Sequence, residues 1–140
     1  TLTDVSADAL ALTEDNRRAL NIENAALKQG DLFEAVRGET FDMILTNPPY
    51  LTADDMAALQ REVRSEPALA LYGGEDGLTF YRRIAAEAAL YLNAGGAILL
   101  EVGQGQARDV GALFEPPMGD VRVHCDINGI ERVVEAAKGD

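Results

Sequence analysis

The sequence predicts an α/β fold built on a mainly parallel sheet. Two observations carry this. Phe41–Thr46 and Ala97–Val102 are mostly apolar runs without polar alternation, the pattern of strands buried on both faces. Between them Tyr81, Ile84, Ala85, Ala88 and Leu92 recur at helical spacing. Strands that alternate with helices pair in parallel and carry the helices on both faces of the sheet.

The elements follow in order. Thr1-Leu2-Thr3 is short and β-prone, so the chain begins inside a strand. Ser6 then stands as an N-cap, and Ala9, Leu12, Thr13, Asn16 and Leu20 form a thin helical stripe that ends at Asn21. Ala25–Gln29 reads as a short strand closed by Gly30-Asp31. The strand Phe41–Thr46 stops at Asn47-Pro48-Pro49-Tyr50, because two prolines cannot continue a central strand.

Residues 51–78 hold the longest irregular stretch. A short helix over Ala53–Val63 is expected there, capped by Thr52 with Asp54 and Asp55 in its first turn. Gly73–Gly77 reads as a flexible loop. A helix from Thr79 to Asn93 ends at Asn93-Ala94-Gly95-Gly96. The strand Ala97–Val102 leads to a helix over residues 104–115, stopped by Pro116-Pro117. Val121–Ile127 and Glu131–Ala137 close the chain as a hairpin around Asn128-Gly129, adding an antiparallel strand at one edge.

Composition limits the function. The 140 residues suit one domain rather than two, and 47% hydrophobic with 26% charged residues is globular. Asp+Glu number 24 against 12 Lys+Arg, a formal net charge of −12, which repels phosphate backbones and anionic membranes. Direct nucleic-acid binding and membrane association are therefore not expected. One cysteine and one histidine leave no disulfide and no Cys- or His-based metal cage, so no metal site is expected. No apolar run reaches the length of a membrane span, and the expected location is the reducing cytoplasm.

In open α/β sheets ligands bind beyond the carboxyl ends of the strands. Asp4, Asp31, Asn47 and Glu101 all fall at such ends. Asp4 suits either of two roles: accepting from both hydroxyls of a ribose, or capping the helix that follows. Asp31 could accept from an adenine amino group with Leu32 or Phe33 on the ring face; the plainer alternative is a turn aspartate with core hydrophobes behind it. Asn47-Pro48-Pro49-Tyr50 is the most specific signal. The Asn47 side-chain oxygen and the Pro48 carbonyl are two acceptors that can hold a planar NH₂ group by its two hydrogens. The prolines restrict the loop, and Tyr50 offers a flat face. The competing reading of the same residues is a rigid turn with an aromatic plug. Glu66-Pro67 reads either as the lining of a substrate entrance or as a helix stop. Glu101 reads as a group near the site or an anchor for its loop. His124 and Cys125, in a strand, are read as packing residues.

The strand followed by Asn47-Pro48-Pro49-Tyr50 resembles motif IV of S-adenosylmethionine-dependent N-methyltransferases that act on amide or exocyclic amino nitrogens. Further segments narrow the resemblance to the HemK/PrmC-type protein-(glutamine-N5) methyltransferases. They are Val63-x-x-Glu66-Pro67-x-x-Ala70-Leu71, Gly73-Gly74-x-Asp76-Gly77-Leu78 and Tyr81-Arg82-x-Ile84, then Leu100-Glu101-x-Gly103-x-x-Gln106 after Gly95-Gly96, and finally Asp126-x-x-Gly129-x-x-Arg132-Val133. The match runs through nearly the whole chain in the family's order.

This resemblance implies a class I S-adenosylmethionine-dependent methyltransferase (Rossmann-like) sheet. It implies that Asp4 binds the cofactor ribose, that Asp31 and Leu32 flank its adenine, and that Asn47 meets both cofactor and substrate. Pro48, Pro49 and Tyr50 complete the glutamine pocket, and Glu66 joins the substrate side. The implied activity is N5-methylation of the glutamine in the Gly-Gly-Gln loop of peptide-chain release factors, and a sister branch acts on a ribosomal protein glutamine. The alternatives are methylation of an exocyclic amine of nucleic acid, and a non-catalytic fragment that needs a partner to complete its fold.

The family carries a helical N-terminal domain and, after its first strand, a Gly-x-Gly-x-Gly cofactor loop; neither is found within these residues. The expectation is that residues 1–140 are the C-terminal part of a methyltransferase catalytic domain that lacks the first strand and that loop. In the class order 3-2-1-4-5-7-6, the strand at Leu2 and the strand at Met43 then have no shared neighbour.

Overall fold

The computed structural model describes residues 1–59 and 65–139. The chain forms two compact units, Thr1–Glu39 and Thr40–Asp140.

The first unit contains β1 (Leu2–Asp4), α1 (Ala7–Ala19), β2 (Leu27–Gln29) and a 3₁₀ turn (Leu32–Val36). Strands β1 and β2 pair in parallel, Thr3 opposite Lys28. Ser6 caps α1 as expected, its hydroxyl accepting from the Ala9 amide at 3.2 Å. The helix ends at Ala19 rather than Asn21, which turns out of the helix with φ 53°. Strand β2 begins two residues later than Ala25. The apolar stripe of α1 is too thin to bury any of its residues, and Leu12 and Leu20 stay exposed. Phe33 and Val36 are the buried apolar side chains of this unit.

The second unit contains β3 (Phe41–Thr46), α2 (Ala53–Ala57), α3 (Ala68–Leu71), α4 (Thr79–Tyr91), β4 (Leu92–Glu101), α5 (Ala107–Gly111), β5 (Met118–Cys125) and β6 (Glu131–Lys138). Its sheet has the order β3-β4-β6-β5. Strands β3 and β4 are parallel, while β6 is antiparallel to both β4 and β5. The antiparallel strand is thus β6, inside the sheet, and not the edge strand that the closing hairpin suggested. A hairpin shows only that its two strands are neighbours; it does not show which of them docks on the sheet. Here β6 carries the apolar Val134 and Ala136, both fully buried, and takes the inner place, leaving β5 exposed at the edge.

Several boundaries in this unit differ from expectation. Strand β4 starts at Leu92, because Asn93–Gly96 continues the strand instead of forming a loop after α4. There the Asn93 Nδ2 donates to the Asp42 carboxylate at 2.8 Å. Helix α5 is only Ala107–Gly111. Strand β5 runs Met118–Cys125, shifted from Val121–Ile127. Helix α2 ends at Ala57, and the 60–63 part of the expected Ala53–Val63 helix lies outside the described residues.

The core of the second unit is Tyr81, Ile84, Ala88, Leu92, Ile98, Leu100, Val102, Val110 and Val134 with their neighbours. The helical spacing of 81, 84 and 88 and the strand spacing of 98, 100 and 102 bring these faces inward. Strand β3 corrects the sequence reading. Met43 and Leu45 are 60% and 70% exposed, so β3 is not buried on both faces. Among the described residues it pairs with β4 alone, and β1 pairs with β2 alone. Apolar composition states what a strand can bury, and a neighbouring element decides whether it does.

Candidate active site

The centre of the site is the exit of β3. Thr46 is its last paired residue, opposite Leu100, and Asn47 leaves the sheet immediately beyond it. Pro48 is buried, Pro49 and Tyr50 are half-buried, and Asn47 is exposed. The prolines end the ladder and fix the backbone that presents Asn47. On the far side of the loop, Leu51 forms a parallel bridge with Tyr72. The Leu51 amide donates to the Leu71 carbonyl at 2.9 Å, and the Gly73 amide donates to the Leu51 carbonyl at 2.8 Å.

Tyr50 is held from several sides. The Gln106 Nε2 donates to its carbonyl at 3.2 Å, and the Gln106 Oε1 accepts from the Gly103 amide at 2.9 Å. A Cβ on Gly73 would lie 2.6 Å from the Tyr50 Cα and 2.7 Å from the Pro49 carbonyl oxygen. A Cβ on Gly103 would lie 3.0 Å from the Tyr50 ring. At Gly73 only glycine lets the two backbones come so close, while at Gly103 the ring would have to give. The sequence carries Gly73, Gly77, Gly103 and Gln106 in its motif segments, yet nothing in their spacing indicates that they meet at Tyr50.

The Gly73–Gly77 segment, read as flexible from composition, is tied down at both ends and through the Asp76 side chain. The Thr79 amide donates to the Gly73 carbonyl at 3.0 Å, and the Asp76 carboxylate accepts from the Leu78 amide at 3.1 Å and from the Arg82 guanidinium at 2.5 Å. The Arg82 bond, with that amide behind it, lowers the Asp76 pKa to about 2. Beneath, the fully buried Tyr81 donates to the Glu101 carbonyl at 2.8 Å, and burial pushes its phenol well above the ordinary range. Glu101 thus serves through its backbone as the anchor of its loop, while its side chain is exposed.

Asp4, in the first unit, ends β1 with an exposed carboxylate whose Oδ1 accepts from the Ser6 amide at 2.7 Å. Ser6, not Asp4, is the helix cap. Asp31 precedes the 3₁₀ turn without a capping bond to it, Leu32 is half-buried with φ 48°, and Phe33 is buried behind. The Gln29 side chain ties the end of β2 to the Val5 carbonyl at 3.0 Å, beside Asp4.

Glu66 is exposed and lies outside the hydrogen-bonded cluster around Tyr50. The following Pro67 is the N-cap of α3, so Glu66-Pro67 leads into a helix. His124 and Cys125 are exposed on β5 and are not packed as expected; the His124 ring meets the Glu135 carboxylate at 2.7 Å. The hairpin around Asn128-Gly129 stands, with Gly129 at φ 78° and Arg132 3.6 Å from Asp126. The described residues hold no cluster of three or more metal-ligating side chains, and no helix long and apolar enough to cross a membrane.

Comparison with known proteins identifies relatives of this chain. The family described as methyltransferase small domain matches residues 1–130. The chain is 39% identical over 141 aligned residues to a release factor glutamine methyltransferase from Clostridium acetobutylicum, covering 97% of this chain and 50% of that protein. It is 46% identical over 101 residues to a ribosomal protein uL3 glutamine methyltransferase from Bordetella pertussis, covering 71% and 34%. Among solved structures it resembles the release factor-specific protein-(glutamine-N5) methyltransferase of Alicyclobacillus acidocaldarius, with a TM-score of 0.53 and 26% identity over 99% of this chain and 78% of that one. The chain spans about half the length of the release factor methyltransferases it matches.

Proposed function

The chain belongs to the methyltransferase small domain family, with a class I methyltransferase fold, and on that premise we propose that it serves S-adenosylmethionine-dependent N5-methylation of a protein glutamine. The substrate of this reading is the Gly-Gly-Gln loop of a peptide-chain release factor. The observation that carries it is Asn47, exposed at the carboxyl end of β3 on a backbone that two prolines restrict and Gln106 holds.

A glutamine amide nitrogen is a poor nucleophile, because its lone pair is delocalised into the carbonyl. The cofactor supplies a methyl group already activated on a sulfonium sulfur. What the chain must add is orientation of the amide nitrogen. Asn47 and the Pro48 carbonyl accept its two N–H bonds, which favours the positive charge that develops on nitrogen. Pro49 and Tyr50 shape the walls that receive the side chain. No strong base is required of any residue.

The residues fit the cofactor. The exposed Asp4 carboxylate already accepts one amide and retains lone pairs for ribose hydroxyls. Asp31 and Leu32 supply an acceptor and an apolar face for adenine. Glu66 serves on the substrate side as an exposed acidic group. The chain's net charge of −12 suits a protein substrate better than a nucleic acid.

The test uses the protein as it occurs naturally, with radiolabelled cofactor, a Gly-Gly-Gln peptide, a ribosomal-protein glutamine peptide and an adenine-containing oligonucleotide. Transfer to the Gly-Gly-Gln peptide is expected, and Asn47→Ala should lower kcat by about 10²-fold. Transfer to the oligonucleotide alone overturns the reading.

A further inference from the structure

We propose that Gln106 is a positioning residue for Asn47: its carboxamide locks the loop after β4 to the backbone of Asn47-Pro48-Pro49-Tyr50. This inference rests on the function proposed above and assigns Gln106 a role exerted through the Tyr50 backbone. Three observations support it.

First, both ends of the carboxamide are used, and each end has one possible partner. The Gly103 amide can only donate, so it faces Oε1 at 2.9 Å; the Tyr50 carbonyl can only accept, so it faces Nε2 at 3.2 Å. The group is a one-way bridge whose direction is set by the chain itself.

Second, the carboxamide sits in a cradle. A Cβ on Gly103 would lie 2.7 Å from its Oε1, and a Cβ on Gly77 would lie 2.6 Å from its Nε2. The two glycines leave room for the bridge and for nothing larger.

Third, the base of the side chain is fixed. The Gln106 amide donates to the Gly103 carbonyl at 3.1 Å, and its carbonyl accepts from the Val110 amide at 2.9 Å as α5 begins. A short rigid arm therefore runs from α5 to Tyr50, three residues from Asn47. Displacement of Tyr50 passes to Asn47 through two prolines, which cannot absorb it by rotation about φ.

Two near-isosteric variants separate the bridge from mere packing. Gln106→Glu keeps the acceptor for Gly103 and turns an oxygen towards the Tyr50 carbonyl. Gln106→Met keeps the side-chain length and removes both bonds. The protein as it occurs naturally is assayed for methyl transfer to the glutamine peptide, alongside amide hydrogen exchange read residue by residue. Both variants are expected to lose kcat by about 10²-fold, the scale of a misplacement near 1 Å, with KM changed less than threefold. Gly103 amide protection should persist in Gln106→Glu and collapse in Gln106→Met.

Wild-type kcat in Gln106→Met, or undiminished Gly103 protection in it, overturns the bridge. Equal loss of stability and of activity in both variants, with the Gly103 amide equally exposed in each, also overturns it, because that is a packing role. Failure of the wild-type protein to methylate the peptide counts against the proposed function only, and the exchange pattern still decides whether the bridge exists.

Discussion

The hydroxyl of Tyr81, in the middle of the second unit's core, donates to the backbone carbonyl of Glu101 at 2.8 Å. One bond thus joins the face of α4 to the carboxyl end of β4, two residues before the Gly103 amide that Gln106 accepts. Tyr81→Phe removes the donor, keeps the ring and leaves the carbonyl without this partner. The expected cost is about 1–2 kcal/mol of stability, read as a lower urea midpoint with an unchanged slope. An unchanged midpoint would mean that water replaces the hydroxyl at no cost.

Gly73→Ala should be damaging out of proportion to one methyl group. The new carbon would lie 2.6 Å from the Tyr50 Cα, which is backbone and cannot swing aside. A loss of about 1–3 kcal/mol is expected, with methyl transfer reduced further than stability. Gly119→Ala is the control, since a Cβ there meets nothing within 4 Å. If the two variants unfold alike, the close approach at Tyr50 does not constrain the loop.

The Asp76 bond to Arg82 should be visible in the acid limb of stability. The Asp76 pKa is lowered from 3.8 to about 2 by the Arg82 bond and then by the Leu78 amide. A depressed folded-state value stabilises fully above the unfolded pKa, and the contribution fades as pH falls from 3.8 towards 2. Asp76→Asn should therefore lower the urea midpoint above pH 5 and converge with wild type near about pH 2. A difference independent of pH would assign the effect to shape and not charge.

Thr52 and Asp55 form a capping box at α2, with the Thr52 hydroxyl accepting from the Asp55 amide at 3.1 Å and donating to its carboxylate at 2.7 Å. The Thr52 hydroxyl, then its amide, hold the Asp55 carboxyl below its ordinary pKa. Thr52→Ala removes the larger cause, so the Asp55 pKa should rise towards the ordinary carboxylate range, as an NMR titration would read. The cap is expected to be worth about 1 kcal/mol locally, seen as faster amide exchange in Ala53–Ala57. Thr52→Ser should restore both readouts.

The legible parts of the fold are those that local chemistry decides. Ser6 and Thr52 act as caps because a hydroxyl within three residues of an orphan amide needs no tertiary help. The end of β3 at Asn47 follows from two prolines, and the turn from the Asn128-Gly129 pair, whose glycine takes the positive φ. Boundaries failed where packing outweighs propensity. Asn93–Gly96 carries every mark of a helix stop and still extends β4, because Phe41 pairs with Leu92 and Asp42 binds Asn93.

The site divides in the same way. By itself the sequence determines that an acceptor-bearing asparagine follows an apolar strand on a restricted backbone, and that acidic residues end two earlier strands. These are covalent facts of order and residue type. Tertiary structure alone decides that β6 lies inside β5, that Met43 and Leu45 are exposed, and that Gly73, Gly77, Gly103 and Gln106 converge on Tyr50. Those relations span from 23 to 56 positions of chain. They depend on which faces find partners to bury against, which short-range propensity does not encode.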